Sequence, residues 1–217
     1  MHVPRDLAHA RLRVLREKHL GASADKSLPV IREARRCTHC AADLPLGPRP
    51  LLAAAKSSRL LIIGQAPGAA AHESGIPWND RSGERLRDWL GVTRAVFYDG
   101  SRVALMPMGF CYPGKGPSGD MPPRPECAPL WHDKIRRTLV NVRFTVFVGQ
   151  YAFAHYLGES SRSITEAARA FAALLPTRIA LPHPSPRNNI WLKKHRWFER
   201  DALPALRARV AEVLASK

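Results

Sequence analysis

The chain has 217 residues, of which 45% are hydrophobic, and this fits one globular domain better than several. No apolar run approaches the ~18 residues that a membrane helix needs, and the amino terminus lacks the apolar core of a secretion signal, so we expect a cytoplasmic protein. The 34 Lys and Arg against 18 Asp and Glu give a formal charge of +16. This surplus favours a polyanionic partner such as nucleic acid, although arginine used freely at solvated positions would give the same count.

Short apolar runs alternate with amphipathic stretches along the chain. The runs predict buried strands at 59–63, 103–106, 144–148 and 178–181. Helices are predicted at 5–19, 82–90 with Ser82 as a cap, 126–140, 150–157, 164–174 and 197–214, where Pro204 either kinks the last helix or starts a new one. This alternation predicts a single-domain α/β three-layer sandwich, in which helices flank a central, mostly parallel sheet of four strands. We expect an N-terminal helical extension at 1–35, a core at 36–200 and a C-terminal helix at 201–217.

Three loops rich in Gly, Pro and polar residues follow predicted strands, at 64–82, 107–125 and 182–191. In parallel α/β sheets the ligand lies beyond the carboxyl ends of the strands. We therefore expect these loops to form one cleft.

Four cysteines are placed for a metal site. Cys37 and Cys40 form a CTHC motif, and Cys111 and Cys127 follow sixteen positions apart. Disulfides are rare in cytoplasmic proteins, so four thiols favour zinc or an iron–sulfur cluster, although four unrelated core thiols would give the same count. His39, inside the motif, could replace one thiolate.

The loop after the first strand reads GQAPGAAAHESGIPWNDRSG, residues 64–83. Its Gly and Pro residues predict a stiff turn, but it lacks the Lys-Ser/Thr pair of a phosphate-binding P-loop. Trp78 either fills the core or stacks on a flat ligand. Asp80 either caps the following helix or activates a water molecule.

Taken together, GQAPG, IPWNDRSG, the cysteine layout and HPSPRN resemble the uracil-DNA glycosylase superfamily, in its iron–sulfur branches known as families four and five. The resemblance covers roughly residues 35–200. It implies a [4Fe–4S] cluster held by Cys37, Cys40, Cys111 and Cys127. It also implies a monomeric base-excision repair enzyme that flips uracil or a related deaminated base out of DNA and hydrolyses its N-glycosidic bond.

The resemblance also assigns roles to individual residues. His183 is expected to stabilise the departing base anion, and Asp80 to orient or activate water. The predicted base-binding residues are Gln65, Ala66, Gly68, Trp78 and Asn79; the predicted DNA-binding residues are Pro186, Arg187, Asn188, Lys193 and Lys194.

Two departures leave the substrate open. Ala66 stands where related enzymes have Asn or Asp, and the stretch ALMPMGFC lacks the asparagine that reads the uracil edge. The pocket could therefore accept hypoxanthine or xanthine instead of uracil. Two other classes stay possible on the sequence: a non-catalytic DNA-binding protein with a degenerate site, and a zinc-stabilised hydrolase of small nucleosides.

Overall fold

The structure is a computed structural model that describes residues 28–117, 119–158 and 163–216. Within these ranges the strands are β1 (Leu60–Ile63), β2 (Val103–Leu105), β3 (Lys115–Gly116), β4 (Gly119–Asp120), β5 (Phe144–Val148) and β6 (Arg178–Leu181). Four of them form a central sheet in the order β2-β1-β5-β6, and every neighbouring pair is parallel. β3 and β4 form a separate antiparallel hairpin.

Helices connect the strands. They are α1 (Pro29–Ala34), α2 (Ala69–Ser74), α3 (Arg81–Leu90), α4 (Arg94–Phe97), α5 (Cys127–Thr138), α6 (Gln150–Leu157), α7 (Ile164–Arg169), α8 (Phe171–Leu174), α9 (Asn189–Lys194) and α10 (Leu203–Ala215). Short 3₁₀ turns lie at Ala41–Asp43 and Pro186–Asn188, and a π-helical turn at Phe198–Ala202 leads into α10. Throughout the described ranges, none of these helices has the length and apolar character needed to cross a bilayer.

The sheet is covered on both faces because successive side chains of a strand point to opposite sides. Leu60 and Ile62 belong to a buried cluster with residues of α3 and α10. Leu61 and Ile63 belong to a second cluster with residues of α1, α5 and α6. The predicted α/β three-layer sandwich around a four-stranded parallel sheet is therefore confirmed.

Several local predictions need correction. Asp80, and not Ser82, caps α3, because its Oδ1 accepts a 2.8 Å hydrogen bond from the Gly83 N–H and the helix begins at Arg81. The predicted helix 164–174 is divided into α7 and α8, which meet at Ala170. At the tail, the alternative that Pro204 starts a new helix is confirmed, since α10 begins at Leu203 and Pro204 lies in its first turn, where a missing N–H costs nothing.

Among the short elements that were not predicted are α2, α4 and α9, of which α2 and α9 lie in predicted loops, and also α1 and the β3–β4 hairpin. α1 buries only Ile31 and Ala34, which is too few apolar positions to reveal a period in the sequence. The β3–β4 hairpin consists of two-residue strands with a glycine in each. The predicted helix 5–19 lies outside the described residues, and the division of the chain at residues 36 and 200 stays a prediction.

A buried histidine holds the loop that follows β2. His132 of α5 is only 2% exposed, and its Nε2 lies 3.1 Å from the carbonyl oxygen of Pro107. Its Nδ1 lies 2.6 Å from the hydroxyl of Tyr156. Since a carbonyl oxygen can only accept a hydrogen bond, the neutral ring donates one from Nε2–H to the Pro107 carbonyl. Its Nδ1 accepts a hydrogen bond from the Tyr156 hydroxyl. Burial lowers the pKa of His132 to about 4.

We expect this histidine to make the protein sensitive to mild acid. Because the pKa of His132 is lower in the folded than in the unfolded chain, its contribution to stability is complete above pH 6.5 and declines as the pH falls towards 4. The free energy of unfolding should fall by roughly 2 kcal/mol between pH 7 and pH 5 through this residue. Urea unfolding of wild type and His132→Gln at both pH values measures the difference.

The control is His155→Gln, which removes an exposed histidine of α6. It should keep most of the pH dependence of the wild type, because burial is the largest cause of the lowered His132 pKa and the charge of His155 a smaller one, whereas His132→Gln should lose most of it. Parallel loss of stability in wild type and His132→Gln would contradict the assignment.

Candidate active site

The loops that follow β1, β5 and β6 meet at the carboxyl edge of the sheet. A Cβ added to Gly64, at the end of β1, would lie 2.6 Å from Cζ2 of Trp78, so the indole lies directly on this glycine. The Trp78 ring also stacks with the ring of His183, with 5.7 Å between the ring centroids and 27° between the ring planes. His183 in turn lies beside Gly149, since a Cβ there would be 3.6 Å from its Cβ and Cδ2. Because Gly64 and Gly149 have no side chains, the rings of Trp78 and His183 can lie against the backbone at the carboxyl edge of the sheet.

The backbone of Trp78 is held in an uncommon conformation. Its φ of 58° lies in the left-handed region, which costs a bulky residue of order 1–3 kcal/mol. The hydroxyl of Tyr98 lies 2.8 Å from the Pro77 carbonyl and 3.2 Å from the Trp78 carbonyl. Arg87, only 8% exposed, donates to the same Trp78 oxygen over 3.3 Å and packs its guanidinium against the rings of Phe97 and Tyr98. These contacts fix the indole in place.

His183 is arranged as a neutral hydrogen-bond donor. The backbone N–H of Ser185 donates to its Nδ1 over 3.2 Å, so the proton of the neutral ring is on Nε2. Burial lowers the pKa of His183, Asp80 partly opposes this shift and Arg187 adds to it. Asn188 donates from Nδ2 to the His183 carbonyl over 2.7 Å, and Arg85 of α3 donates to the Ser185 carbonyl over 3.3 Å. The ring is thus both oriented and kept uncharged.

Two carboxylates lie near this ring pair. Asp80 is exposed, with one oxygen bonded to the Gly83 N–H, and its charge acts on both His183 and Asp120. Asp120 comes from the β3–β4 hairpin, and its Oδ2 lies 3.1 Å from where a Cβ on Gly68 would be. Arg187 lies against the backbone of Gly119, next to Asp120. The hairpin therefore connects the GQAPG turn with the HPSPRN loop.

These loops carry the features that a comparison with known families identifies. A family model described as the Uracil DNA glycosylase superfamily matches residues 52–207. The chain belongs to the uracil DNA glycosylase superfamily. Membership supports a glycosylase-type hydrolase that acts on DNA, and it confirms the predicted resemblance at the level of the superfamily. The iron–sulfur branch, which depends partly on Cys37 and Cys40 outside the matched region, stays a prediction.

The predicted site residues of this glycosylase-superfamily domain fall into three groups. Trp78, Asp80 and His183 lie together, and Ala66 and Gly68 belong to the adjacent turn. Gln65 and Asn79 have protein partners, since Gln65 Nε2 lies 3.4 Å from the Met121 carbonyl and Asn79 Oδ1 accepts from Arg94 over 3.0 Å. The predicted DNA-binding residues Pro186, Arg187, Lys193 and Lys194 are exposed, whereas Asn188 is half-buried and holds the His183 carbonyl.

Reasoning from the sequence missed four residues of the site. Arg87, Tyr98, Gly83 and Asp120 support or surround the ring pair. Gly83 and Arg87 reach Trp78 through the local turn before α3, whereas Tyr98 and Asp120 are brought there by packing between more distant segments. One signal was present for Asp120: the stretch KGPSGD, residues 115–120, has the glycine-rich centre of a tight hairpin inside a loop already assigned to the cleft.

All four cysteines of the superfamily member line one apolar cavity, together with Phe110, Leu130 and Trp131. Burial raises the pKa of Cys127 to about 12 and that of Cys111 to about 11, and the neighbouring thiols raise both further. The Phe110 N–H donates to Cys127 Sγ over 3.4 Å. Within the described ranges, no three His, Cys, Asp or Glu side chains are arranged to hold a single metal ion. The four thiols therefore line the same cavity but are not arranged as the ligands of a single metal ion.

We expect Gly83→Ala to disrupt the turn that carries Trp78. The added methyl would overlap the Trp78 carbonyl, so the turn and the ring pair must move. Helix propensity alone would make the alanine variant more stable than the wild type by about 1 kcal/mol. A measured loss of stability would therefore come from the clash with the Trp78 carbonyl. We expect a loss of at least about 2 kcal/mol in the free energy of unfolding, measured with urea.

The matched control is Gly100→Ala, because nothing lies within 4 Å of the Cβ that it adds. This variant should unfold like the wild type. A Gly83→Ala protein as stable as Gly100→Ala would show that the turn tolerates a side chain there.

Proposed function

We propose that the protein is a DNA glycosylase that removes uracil or a related deaminated base from DNA in base-excision repair. The observation that carries the proposal is His183, which is half-buried, neutral, oriented by the Ser185 N–H and stacked beside Trp78. A fixed neutral donor in a cleft is what a departing base anion needs, because it stabilises negative charge on the base without reorganising.

The base is expected to lie beside the ring pair and not between its members. An aromatic base between two rings needs about 7 Å, twice an ordinary carbon–carbon contact distance, and the centroids of Trp78 and His183 are 5.7 Å apart. The base therefore contacts the Nε2 edge of His183, while Trp78 forms a wall of the pocket.

Hydrolysis then divides between the residues around this pocket. As the N-glycosidic bond breaks, the electron pair goes to the base nitrogen, and Nε2–H of His183 stabilises the anion. Positive charge develops on the sugar, where the carboxylate of Asp80 stabilises it and orients the attacking water. The fixed Oδ1 of Asp80, held by Gly83, limits its motion.

The exposed rim provides phosphate contacts for a flipped nucleotide. Arg187, Lys193 and Lys194 are exposed on one loop and the helix that follows it. Pro186 and the 3₁₀ turn stiffen the loop, and Ser185 is held by Arg85. Flipping costs a few kcal/mol of unstacking, and a loop that is already rigid loses little entropy when it occupies the gap in the duplex.

The cysteine cavity supports the proposal of an iron–sulfur cluster. All four thiols line it, among apolar side chains. A [4Fe–4S] cluster fits this donor set, because such clusters are held by four cysteine thiolates. When bound, the cluster would crosslink the CTHC segment to the loop after β2 and the start of α5. Cys37, Cys40, Cys111 and Cys127 would hold it.

The first test is excision from oligonucleotides that contain uracil, hypoxanthine or xanthine, single- or double-stranded, followed by alkaline cleavage. We expect excision of at least one base by wild type, and a loss of about 10² or more in His183→Ala, because a preorganised donor contributes about 3 kcal/mol. His155→Ala, at an exposed histidine of α6, should act like wild type. DNA binding without excision of any base would instead support a non-catalytic damage-binding protein, which Ala66 favours.

The second test concerns the cluster. Protein purified without oxygen should be brown and contain the iron and sulfide of one cluster per chain. Cys111→Ala should lose the colour and unfold at lower urea concentration, because the crosslink disappears. Ser185→Ala, on the DNA-binding loop, should keep it. A colourless wild-type protein that contains zinc would contradict the cluster and support a zinc-stabilised hydrolase.

A further inference from the structure

Asp120 has a position that none of the predicted roles explains. The β3–β4 hairpin places its Oδ2 against the Gly68 turn, two residues after Ala66. Its electrostatic neighbours are Arg187, Asp80 and Lys115. Asp120 is exposed, so it is accessible to a substrate in the cleft.

The surroundings of Asp120 indicate which part of a flipped nucleotide it meets. Its Oδ2 lies against the Gly68 turn, and the charge of Asp80 acts on both Asp120 and His183, beside which the base is proposed to lie. Its other charged neighbours are Arg187 and Lys115, which are suited to phosphates. The sugar of a flipped nucleotide lies between its base and its phosphates, so Asp120, which has neighbours of both kinds, is placed for the sugar.

We propose that Asp120 is a second catalytic carboxylate, which accepts the proton of the water that attacks the sugar. The inference depends on the proposed glycosylase function and adds a residue to it. It also explains how the site works with Ala66 in the turn, since the hairpin supplies a carboxylate that the turn lacks.

The step balances in atoms and charge. The bond from C1′ to the base nitrogen breaks, and its electron pair leaves with the base. The water oxygen forms a bond to C1′, one water proton goes to Asp120, and the other stays as the new sugar hydroxyl. Asp120 later releases its proton to solvent, and the base anion takes one up.

The electrostatics of Asp120 suit this role. Desolvation against the turn raises its pKa, Arg187 and Lys115 oppose the shift, and Asp80 adds to it. A carboxylate with a raised pKa is a stronger base, so it takes a proton from water more readily. Asp80 is less suited to accept this proton because one of its oxygens is bonded to the Gly83 N–H.

The experiment compares Asp120→Asn with Asp133→Asn. Asp133 is an exposed residue of α5 that makes a 3.9 Å ion pair with Arg136, so the control loses the same charge outside the cleft. Single-turnover excision is measured at saturating enzyme on whichever deaminated base the wild type removes, and DNA affinity is measured separately. Urea unfolding checks that both variants are folded.

We expect Asp120→Asn to excise at least about 10² more slowly than Asp133→Asn, with DNA affinity equal or higher, because a negative charge near the phosphates has been removed. Asp120→Glu, which keeps the carboxylate, should lie between wild type and Asp120→Asn. If Asp120→Asn does not fold, Asp120→Ala takes its place in the same comparison, because it also removes the carboxylate from an exposed position, and a rate equal to that of Asp133→Asn would overturn the role.

Equal rates for Asp120→Asn and Asp133→Asn would also overturn it, and so would a loss that appears only in DNA affinity, since that would make Asp120 an anchor for Arg187. These outcomes need an active wild type. A wild type that excises no base would instead end the proposed glycosylase function itself, so the two failures are distinguishable.

Discussion

The site depends on one carbonyl oxygen, that of Trp78. Tyr98 and Arg87 both lie within hydrogen-bonding distance of it, and Gly83 passes so close that no side chain fits. These contacts keep a bulky residue in the left-handed region, where it would otherwise be disfavoured. With its backbone held in this way, the indole can lie on Gly64 and meet His183. The contact between these two rings joins the loop after β1 directly to the loop after β6.

Much of the fold could be predicted from the sequence because the sheet is parallel and buried on both faces. Strands of this kind appear as continuous apolar runs, and the boundaries of β5 and β6 agree with the prediction at both ends. Elements with few buried side chains, such as α1 and the β3–β4 hairpin, give no such pattern. Both Ser82 and Asp80 were predicted as possible caps of α3 because serine and aspartate are both good caps, and only the structure shows which one accepts the bond.

The site was predictable in part for a related reason. Trp78 and Asp80 follow β1 and His183 follows β6, two parallel strands separated in the sheet by β5, so topology brings these residues to the same edge. Their orientations were not predictable. The 5.7 Å stacking of Trp78 on His183 results from a contact between segments far apart in sequence, and the hydrogen bond from Arg94 to Asn79 depends on how α4 packs beside the loop after β1. Asp120 belongs to the same class, since its approach to Gly68 depends on how one hairpin packs.

The loop after β2 links the two chemical regions of the molecule. Its first part is held by His132 through the Pro107 carbonyl, and Cys111 faces the cysteine cavity. The ring of Tyr112 lies 6.1 Å from that of His72 in α2, which follows the GQAPG turn. The same loop then forms the hairpin that carries Asp120. Fixing Cys111 and Cys127 therefore fixes both ends of the segment from which the hairpin projects.

Two carboxylates in a cleft that binds DNA are electrostatically unfavourable, so their presence there requires a chemical explanation. The protein has a formal charge of +16, and Arg187 and Lys115 lie beside Asp120. A carboxylate there weakens binding to a polyanion, and Asp80 and Asp120 also repel each other. Neither effect favours a site that only binds DNA. Both are offset if positive charge develops on the sugar between these residues, because the carboxylates then stabilise the transition state more than the bound substrate.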